Sequence, residues 1–131
     1  MIHTSDKRLV ARLGVAAFLA AAVPTVATAA GYENLGSGSI SCGQWLEHRR
    51  ATGAEERRMV FDDEDWVMGF ITGRNAGAAA TTGSEKLSHT GKETGSASMF
   101  AWIDNYCRAN PLKDLANAAD ALWLTLSGVS K

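Results

Sequence analysis

Cys42 and Cys107 are the only cysteines among the 131 residues, and their pairing would constrain the fold more than any other feature. In a small exported domain, an even number of cysteines predicts a disulfide. The bridge would close a loop of about 66 residues, which on the chain-entropy model stabilises a fold by about 4 kcal/mol. The alternative, a free Cys107 nucleophile, would need a base, yet His48 and His89 lie in no recognisable Cys/His motif. The sequence therefore favours a structural disulfide.

The N-terminal segment has the three parts of a secretory signal peptide. A basic start is followed by an apolar run of 11 residues, 13–23, and then by small residues at Ala27–Ala29 that suit cleavage. The apolar run is shorter than the roughly 20 residues that a membrane span needs. We therefore predict a cleaved signal peptide over residues 1–29, with a retained anchor or a buried N-terminal helix as the alternative.

The rest of the chain has the length of one small domain. Residues 30–40 are rich in Gly and Ser and predict a flexible leader, and residues 41–128 predict a single helical domain. Residues 30–131 hold 10 Lys and Arg against 13 Asp and Glu, so the net charge is near −3. Without a basic stripe or a second long apolar run, we expect neither nucleic acid nor a membrane span. The expected location is the periplasm or the extracellular space.

Capping and charge signals predict where the first two helices begin. Ser41 followed by Gln44 matches a capping box, so a helix should start there, with residues 47–50 facing water. The acidic run 62–65 predicts the start of a second helix, over about 63–80, because carboxylates favour a helix N-terminus. A calcium loop is the weaker alternative, since no glycine bend or suitable ligand spacing follows.

Apolar spacing of three and four residues predicts two more helices, which meet at Asn110 and Pro111. Proline cannot continue the first of them but suits the first turn of the next, with Asn110 as its N-cap and Gly128 at its end. Asp104 and Arg108 are expected to form an exposed pair, and Trp123 to be partly exposed. The predicted fold is an all-α, small four-helix orthogonal bundle stapled by one disulfide. Its predicted core residues are Trp45, Leu46, Trp66, Phe70, Met99, Trp102, Ile103, Tyr106, Leu112, Leu115 and Leu122.

Gly69, Gly73 and Gly77 recur at a spacing of four in the second helix. Each glycine costs a helix up to about 1 kcal/mol relative to alanine, so three on one stripe need a reason. The interpretation we favour is a groove of small residues against which a second helix packs closely. A groove open to a ligand or partner is the functional alternative, with Arg74 and Asn75 as polar members instead of solvent-exposed residues.

No pattern of residues indicates catalysis. The sequence contains no Ser/His/Asp set, phosphate-binding loop, dinucleotide fingerprint or set of spaced metal ligands, so we expect neither an enzyme nor a cofactor or metal. Residues 81–96 lack periodicity and predict a long polar loop that carries His89, which in such a loop is usually solvated. The expected partners are therefore other proteins.

Three motifs resemble the HdeA/HdeB-like family over roughly residues 40–126. They are "SCGQWL" at residues 41–46, "WVMGFITG" at residues 66–73, and the second cysteine at the end of the third helix. The resemblance implies a small exported helical bundle with one helix-to-helix disulfide, often dimeric at neutral pH. It also implies an acid-stress chaperone of the periplasm, which loosens in acid and holds unfolding client proteins on exposed apolar surface.

The segment "NYCRANPL", residues 105–112, resembles instead the Tai-type immunity proteins. That resemblance implies a helical periplasmic protein that binds and blocks one specific effector, a cell-wall amidase delivered by type VI secretion. Those proteins usually carry a second disulfide, for which this chain has no cysteines. We therefore expect a non-enzymatic protein-binding domain, with an acid-stress chaperone as the favoured function and an immunity protein as the alternative.

Overall fold

A computed structural model describes residues 32–129, so the predicted signal peptide and its cleavage site lie outside the described residues. Within that range the chain is all-α, as the sequence predicts, and no strand is present beyond one isolated bridge between Ser41 and Asp114. The described elements are a 3₁₀ helix at Gly36–Ser39, α1 at Cys42–Arg50, α2 at Ala54–Thr82, α3 at Glu85–Ser88, α4 at Ser96–Ala109 and α5 at Leu115–Ser127.

The predicted disulfide is confirmed and joins the first residue of α1 to the last turn of α4. The Sγ atoms of Cys42 and Cys107 lie 2.09 Å apart, the Cα atoms lie 4.7 Å apart, and both side chains are fully buried. The bridge therefore crosslinks two helices inside the core.

The predicted capping box at the start of α1 is also confirmed. The Ser41 Oγ accepts a hydrogen bond from the Gln44 backbone N–H at 3.1 Å, and the Ser41 N–H donates to Gln44 Oε1 at 3.0 Å. Next to it, the Cys42 N–H donates to the Lys113 carbonyl at 2.7 Å, and the Leu115 N–H donates to the Ile40 carbonyl at 2.9 Å. These bonds fasten the start of α1 to the turn that precedes α5.

The segment predicted as a flexible leader contains the 3₁₀ helix at Gly36–Ser39. Gly38 is buried in the 3₁₀ helix, and a Cβ atom added to it would lie 2.1 Å from Cζ2 of Trp66. The absence of a side chain therefore allows this segment to approach the Trp66 ring, which composition alone could not indicate.

Gly38→Ala should lower the free energy of unfolding by about 1–3 kcal/mol, because the Trp66 ring would have to move from its position beside Phe70. Urea unfolding followed by circular dichroism measures the change. Gly73→Ala is the control, since a Cβ there meets nothing within 4 Å and alanine suits the interior of a helix. Equal stabilities of the two variants would contradict the close packing at Gly38.

Helix α2 begins at Ala54 and not near residue 63, so the acidic run 62–65 lies in its middle. Glu55 and Glu56 supply the negative charge in the first turn, which satisfies the helix dipole earlier than predicted. The helix ends at Gly83, whose φ of 62° lies in the left-handed region that glycine adopts readily.

The corner between α4 and α5 differs from the prediction. The N-cap of α5 is Asp114 and not Asn110, because the chain first makes a turn in which the Lys113 N–H donates to the Asn110 carbonyl at 3.0 Å. Leu112 lies in this turn and is 94% exposed, so its predicted place in the core is wrong. Gly128 ends α5 with a φ of 70°, as predicted.

The other predicted core residues all belong to or pack against one buried cluster. Those that are buried are Trp45, Met99, Ile103, Leu115 and Leu122, and those that are partly buried are Leu46, Trp66, Phe70, Trp102 and Tyr106. Trp123 is buried, with 5% of its surface exposed, so the partial exposure expected for it is wrong.

No helix in residues 32–129 is both long enough and apolar enough to cross a membrane.

Candidate functional site

A charged cluster lies where α1, α2 and α4 meet, and we define it as His48, Arg49, Asp63, Glu64 and Asp104. Three of its members are carboxylates from α2 and α4, and two are bases from α1. The prediction that residues 47–50 face water is therefore wrong for the two bases. The reason is tertiary, since α2 brings its acidic run across the polar face of α1.

His48 and Asp63 form the most buried contact of the cluster. His48 Nδ1 lies 2.7 Å from Asp63 Oδ2, and the two side chains are 20% and 4% exposed. A carboxylate at this depth needs a partner, because an unpaired buried charge is costly. The pair therefore links α1 to the middle of α2.

Arg49 contacts the other two carboxylates. Its guanidinium pairs with Glu64, and its Nε lies 3.2 Å from Asp104 Oδ1. It also lies 5.4 Å from the centre of the Trp45 ring, a cation–π geometry. The indole N–H of Trp45, which is fully buried, donates to Asp104 Oδ1 at 2.8 Å. Asp104 therefore accepts hydrogen bonds from the buried Trp45 and from Arg49, and it does not form the predicted surface pair with Arg108. The Arg108 guanidinium donates to the Asn105 side chain instead.

The charged cluster contains groups that can gain or lose a proton. No group of three or more His, Cys, Asp and Glu side chains in residues 32–129 has the arrangement needed to hold a metal ion. The cluster does place three carboxylates against two bases at a junction of three helices. Neutralising Asp63 and Asp104 would leave a protonated His48 and the Arg49 guanidinium without these counter-charges.

Burial raises the pKa of the Glu64 carboxyl above its ordinary value, although the Arg49 guanidinium acts in the opposite direction and the neighbouring Asp104 adds to the rise. Ionised Glu64 therefore carries a burial cost in the folded protein at neutral pH.

Glu64→Gln tests the pH dependence that this raised pKa implies. Because native Glu64 binds a proton more tightly than the unfolded chain does, it contributes stability that appears as the pH falls through its raised pKa. We expect the variant to lie within about 0.5 kcal/mol of the wild type at pH 7. Between pH 7 and about pH 4.5 the wild type should gain on it. Urea unfolding at both pH values measures this, and an equal difference at the two would contradict the raised pKa.

An apolar groove of about 550 Å³ lies at the other end of α2, beside α3 and α5. Its walls are Phe70, Leu87 and Trp123, and the backbones of Gly73 and Gly77 form one edge. A volume of this size falls within the range of small-molecule and peptide sites.

The three glycines of α2 do not form the predicted packing contact. Gly69, Gly73 and Gly77 are exposed, and a Cβ atom at any of them would meet nothing within 4 Å. Within residues 32–129 no other helix packs closely against these three positions, so the favoured interpretation is wrong. The alternative, a groove open to solvent, describes the structure at Gly73 and Gly77.

Arg74 and Asn75 fix one wall of the groove. The Arg74 guanidinium lies 4.5 Å from the centre of the Trp123 ring and 3.1 Å from Asp120 Oδ1. The Asn75 side chain accepts a hydrogen bond from Trp123 Nε1 at 2.8 Å and donates to the Thr90 carbonyl at 3.0 Å. The solvent-exposed role expected for Asn75 is therefore wrong, and the predicted loop 81–96 is held against α2 by this residue.

The predicted loop contains structure of its own. It includes the end of α2, the one-turn helix α3 and the buried Thr90, whose hydroxyl donates to the Leu87 carbonyl at 2.9 Å. His89 is exposed, as expected for a histidine in a polar segment, and its Nδ1 lies 2.9 Å from the Glu85 carbonyl oxygen.

Comparison of the chain with family models, with curated proteins and with solved structures finds no match. The charged cluster and the groove are therefore described on their own geometry. The sequence held one signal for the cluster, the run 62–65, whose four carboxylates exceed what a helix start requires. It held no signal that paired those carboxylates with α1.

Proposed function

We propose that the chain is an exported, non-enzymatic protein-binding domain that acts in the periplasm as an acid-stress chaperone. The observation that best supports this proposal is the charged cluster, in which the carboxylates of α2 and α4 pair with His48 and Arg49 of α1. Contacts that depend on a carboxylate charge are sensitive to acid. The resemblance of the sequence to the HdeA/HdeB-like family gives the proposal its direction. The expected partners are unfolding client proteins.

Acid weakens the contacts among α1, α2 and α4 directly. Protonation of the carboxyls in acid would remove the Asp63 charge that faces His48 and the Asp104 charge that faces Arg49. Repulsion across the whole domain acts in the same direction. With every carboxyl protonated, the 10 Lys and Arg and two His of residues 30–131 carry a charge of +12 in place of −3.

Opening at the cluster would expose apolar surface next to it. Trp45 and Phe100 pack together beneath Arg49, with ring centres 6.3 Å apart. The Cys42–Cys107 bridge would keep α1 attached to α4, so the opened chain would stay compact and could close again. Exposed apolar surface on a compact chain is the property with which a protein holds an unfolding client.

A client-holding assay with one matched pair of variants tests this proposal. The oxidised protein, residues 30–131, is mixed with a model client that aggregates in acid, and light scattering is followed at a series of pH values from 7 to 2. We expect Asp63→Asn, which lacks the attraction to His48 at every pH, to hold the client at a higher pH than the wild type does. Asp62→Asn, on the exposed face of the same helix, should behave as the wild type.

The pH at which the client is held must follow the pH at which the domain opens. Tryptophan fluorescence of each variant without client gives the opening pH. If Asp63→Asn opens earlier but holds the client no earlier, opening does not create the client surface and the chaperone proposal fails.

A second candidate function, an immunity protein that blocks a cell-wall-degrading effector, is favoured by one observation. The turn at residues 110–113 presents Leu112 with 94% of its surface exposed. The backbone of this turn is held firmly, since the Gly43 N–H donates to the Pro111 carbonyl at 3.1 Å. A fixed apolar side chain at a corner suits insertion into the cleft of one partner.

Inhibition of cell-wall amidases by the protein at neutral pH tests this second candidate. A true inhibitor should lose at least about tenfold in affinity on Leu112→Ala, because central apolar anchors carry much of the binding energy. Full inhibition by that variant would exclude the turn as the contact surface.

A further inference from the structure

A smaller cavity, which we call the arginine pocket, lies between α1 and α4. Its volume is about 290 Å³, and it is lined by Leu46, Arg49, Arg50, Asp104 and Arg108. Three guanidiniums therefore surround one carboxylate and one apolar side chain. Clustered guanidiniums favour an anionic ligand, because their planar forks match the oxygens of a phosphate or carboxylate.

Two of the three arginines in the pocket keep an uncompensated charge. Arg49 pairs with both Asp104 and Glu64, so its charge is already balanced. Arg50 and Arg108 form no ion pair with any residue in the range 32–129. The pocket therefore offers an anion two positive charges, one from α1 and one from α4.

The guanidiniums of Arg50 and Arg108 also retain most of their hydrogen-bond donors. Each guanidinium has five N–H groups. The Arg50 Nε donates to the Leu46 carbonyl at 2.8 Å, and one terminal nitrogen of Arg108 donates to the Asn105 side chain. Both arginines lie in the last turn of their helix, where a cation suits the helix dipole, but that role needs only the charge. Both side chains are exposed, so their other N–H groups are accessible to a ligand.

The disulfide holds the two walls of the pocket together. The Cys42–Cys107 bridge joins α1 to α4, Arg108 directly follows Cys107, and Arg50 lies about two turns after Cys42. The hydrogen bond from Trp45 Nε1 to Asp104 Oδ1, at 2.8 Å, joins the same two helices. A ligand that bridges α1 and α4 therefore meets helices whose separation is already fixed, which lowers the entropy cost of binding.

We propose that the arginine pocket binds a small phosphomonoester, whose phosphate lies between Arg50 and Arg108 and whose organic group contacts Leu46. A phosphomonoester carries nearly two negative charges at neutral pH and has three terminal oxygens, so it matches two free guanidiniums better than a carboxylate does. The pocket volume is at the lower limit for small-molecule sites, which suits a ligand with few carbon atoms. Because both arginines are exposed, we expect a dissociation constant of about 0.1–1 mM. The proposal does not depend on the chaperone function.

An NMR titration of isotope-labelled, oxidised residues 30–131 with glycerol 3-phosphate, at pH 7 and low salt, tests the site. We expect saturable shifts of the backbone amide signals of residues 46–50 and 104–108. Glycerate, which carries a carboxylate and no phosphate, should bind at least about fivefold more weakly. Low salt is needed because dissolved ions screen exposed charges.

Four variants separate the pocket from the general charge of the protein. Arg50→Gln and Arg108→Gln should each weaken binding at least about fivefold. Asp104→Asn should tighten it about two- to fivefold, because it removes the carboxylate that lines the pocket. Arg57→Gln is the matched control, since Arg57 is exposed, donates to one backbone carbonyl, that of Thr52, and lies outside the pocket. Circular dichroism verifies that all four variants keep their helices.

Vesicles distinguish the two sources of a phosphomonoester, a soluble metabolite and a lipid headgroup. If the protein sediments with vesicles that contain phosphatidic acid but not with phosphatidylcholine alone, and Arg108→Gln abolishes this, the source is a headgroup. If it binds glycerol 3-phosphate but neither kind of vesicle, the source is soluble. The absence of saturable shifts up to about 10 mM glycerol 3-phosphate would overturn the proposal. Equal losses in Arg50→Gln and Arg57→Gln, or tighter binding of glycerate, would overturn it as well.

Discussion

Replacing both cysteines, as Cys42→Ala with Cys107→Ala, should lower the free energy of unfolding by about 4 kcal/mol. The bridge spans a sequence separation of 65 residues, and cutting it restores the freedom of that loop in the unfolded chain. A domain of this size has a total stability of about 5–10 kcal/mol, so the variant should be close to unfolding at neutral pH. Urea unfolding of the oxidised wild type and the double variant measures the loss.

Chemical reduction of the wild type supplies the control for this prediction. Reduction opens the loop without changing any side-chain volume beyond the bond itself, so it should cost nearly as much as the double substitution. If the double variant is much less stable than the reduced protein, the loss comes from the cavity and not from loop entropy. A loss below about 1 kcal/mol in both cases would contradict the role given to the bridge.

Asp104→Leu should lower the free energy of unfolding by about 2–4 kcal/mol at pH 7. The substitution leaves the indole N–H of Trp45 without its acceptor in the core, and it removes a counter-charge from the half-buried Arg49. Circular dichroism during urea unfolding measures the change without relying on the fluorescence of the affected tryptophan.

Asp104→Asn separates the two causes. Its side-chain oxygen can still accept the hydrogen bond from Trp45, so only the charge facing Arg49 is lost, and we expect a cost of about 1 kcal/mol. Equal losses for the two substitutions would show that the hydrogen bond to Trp45 contributes little. The destabilisation of the leucine variant would then be electrostatic.

Local signals in the sequence predicted local structure well. The Ser41 and Gln44 pair predicted the start of α1, Gly128 predicted the end of α5, and the even cysteine count predicted the crosslink. Each of these features depends on residues a few positions apart or on covalent chemistry. Rules for helix caps, helix ends and cysteine pairing need only the sequence, so they can be applied before the fold is known.

Tertiary contacts escaped the same rules. His48 is on the polar face of its own helix, yet it is covered because Asp63, fifteen residues later, packs across it. Leu112 fits the apolar spacing of α5, yet it is exposed because the chain turns before that helix begins. Periodicity identifies the faces of one helix and does not identify which other element covers each face.

The candidate sites were predictable only in part. The glycines at 73 and 77 indicated a groove, and the alternative in which it is open describes the structure, but its walls come from Leu87 and Trp123 on two other elements. The run at residues 62–65 marked an unusual concentration of charge. The role of Asp63 and Glu64 in this run depends on how close they lie to His48 and Arg49 of α1, and only the folded structure shows that distance.

A pH titration of the oxidised protein, residues 30–131, from pH 7 to pH 2 tests whether the domain opens in acid. Near-ultraviolet circular dichroism reports the packing of the tryptophans, and binding of an apolar dye reports exposed surface. We expect a reversible loss of tryptophan packing below about pH 4, accompanied by dye binding, with the far-ultraviolet helix signal largely retained. A domain that keeps its tryptophan packing and binds no dye down to pH 2 would contradict the acid-chaperone account.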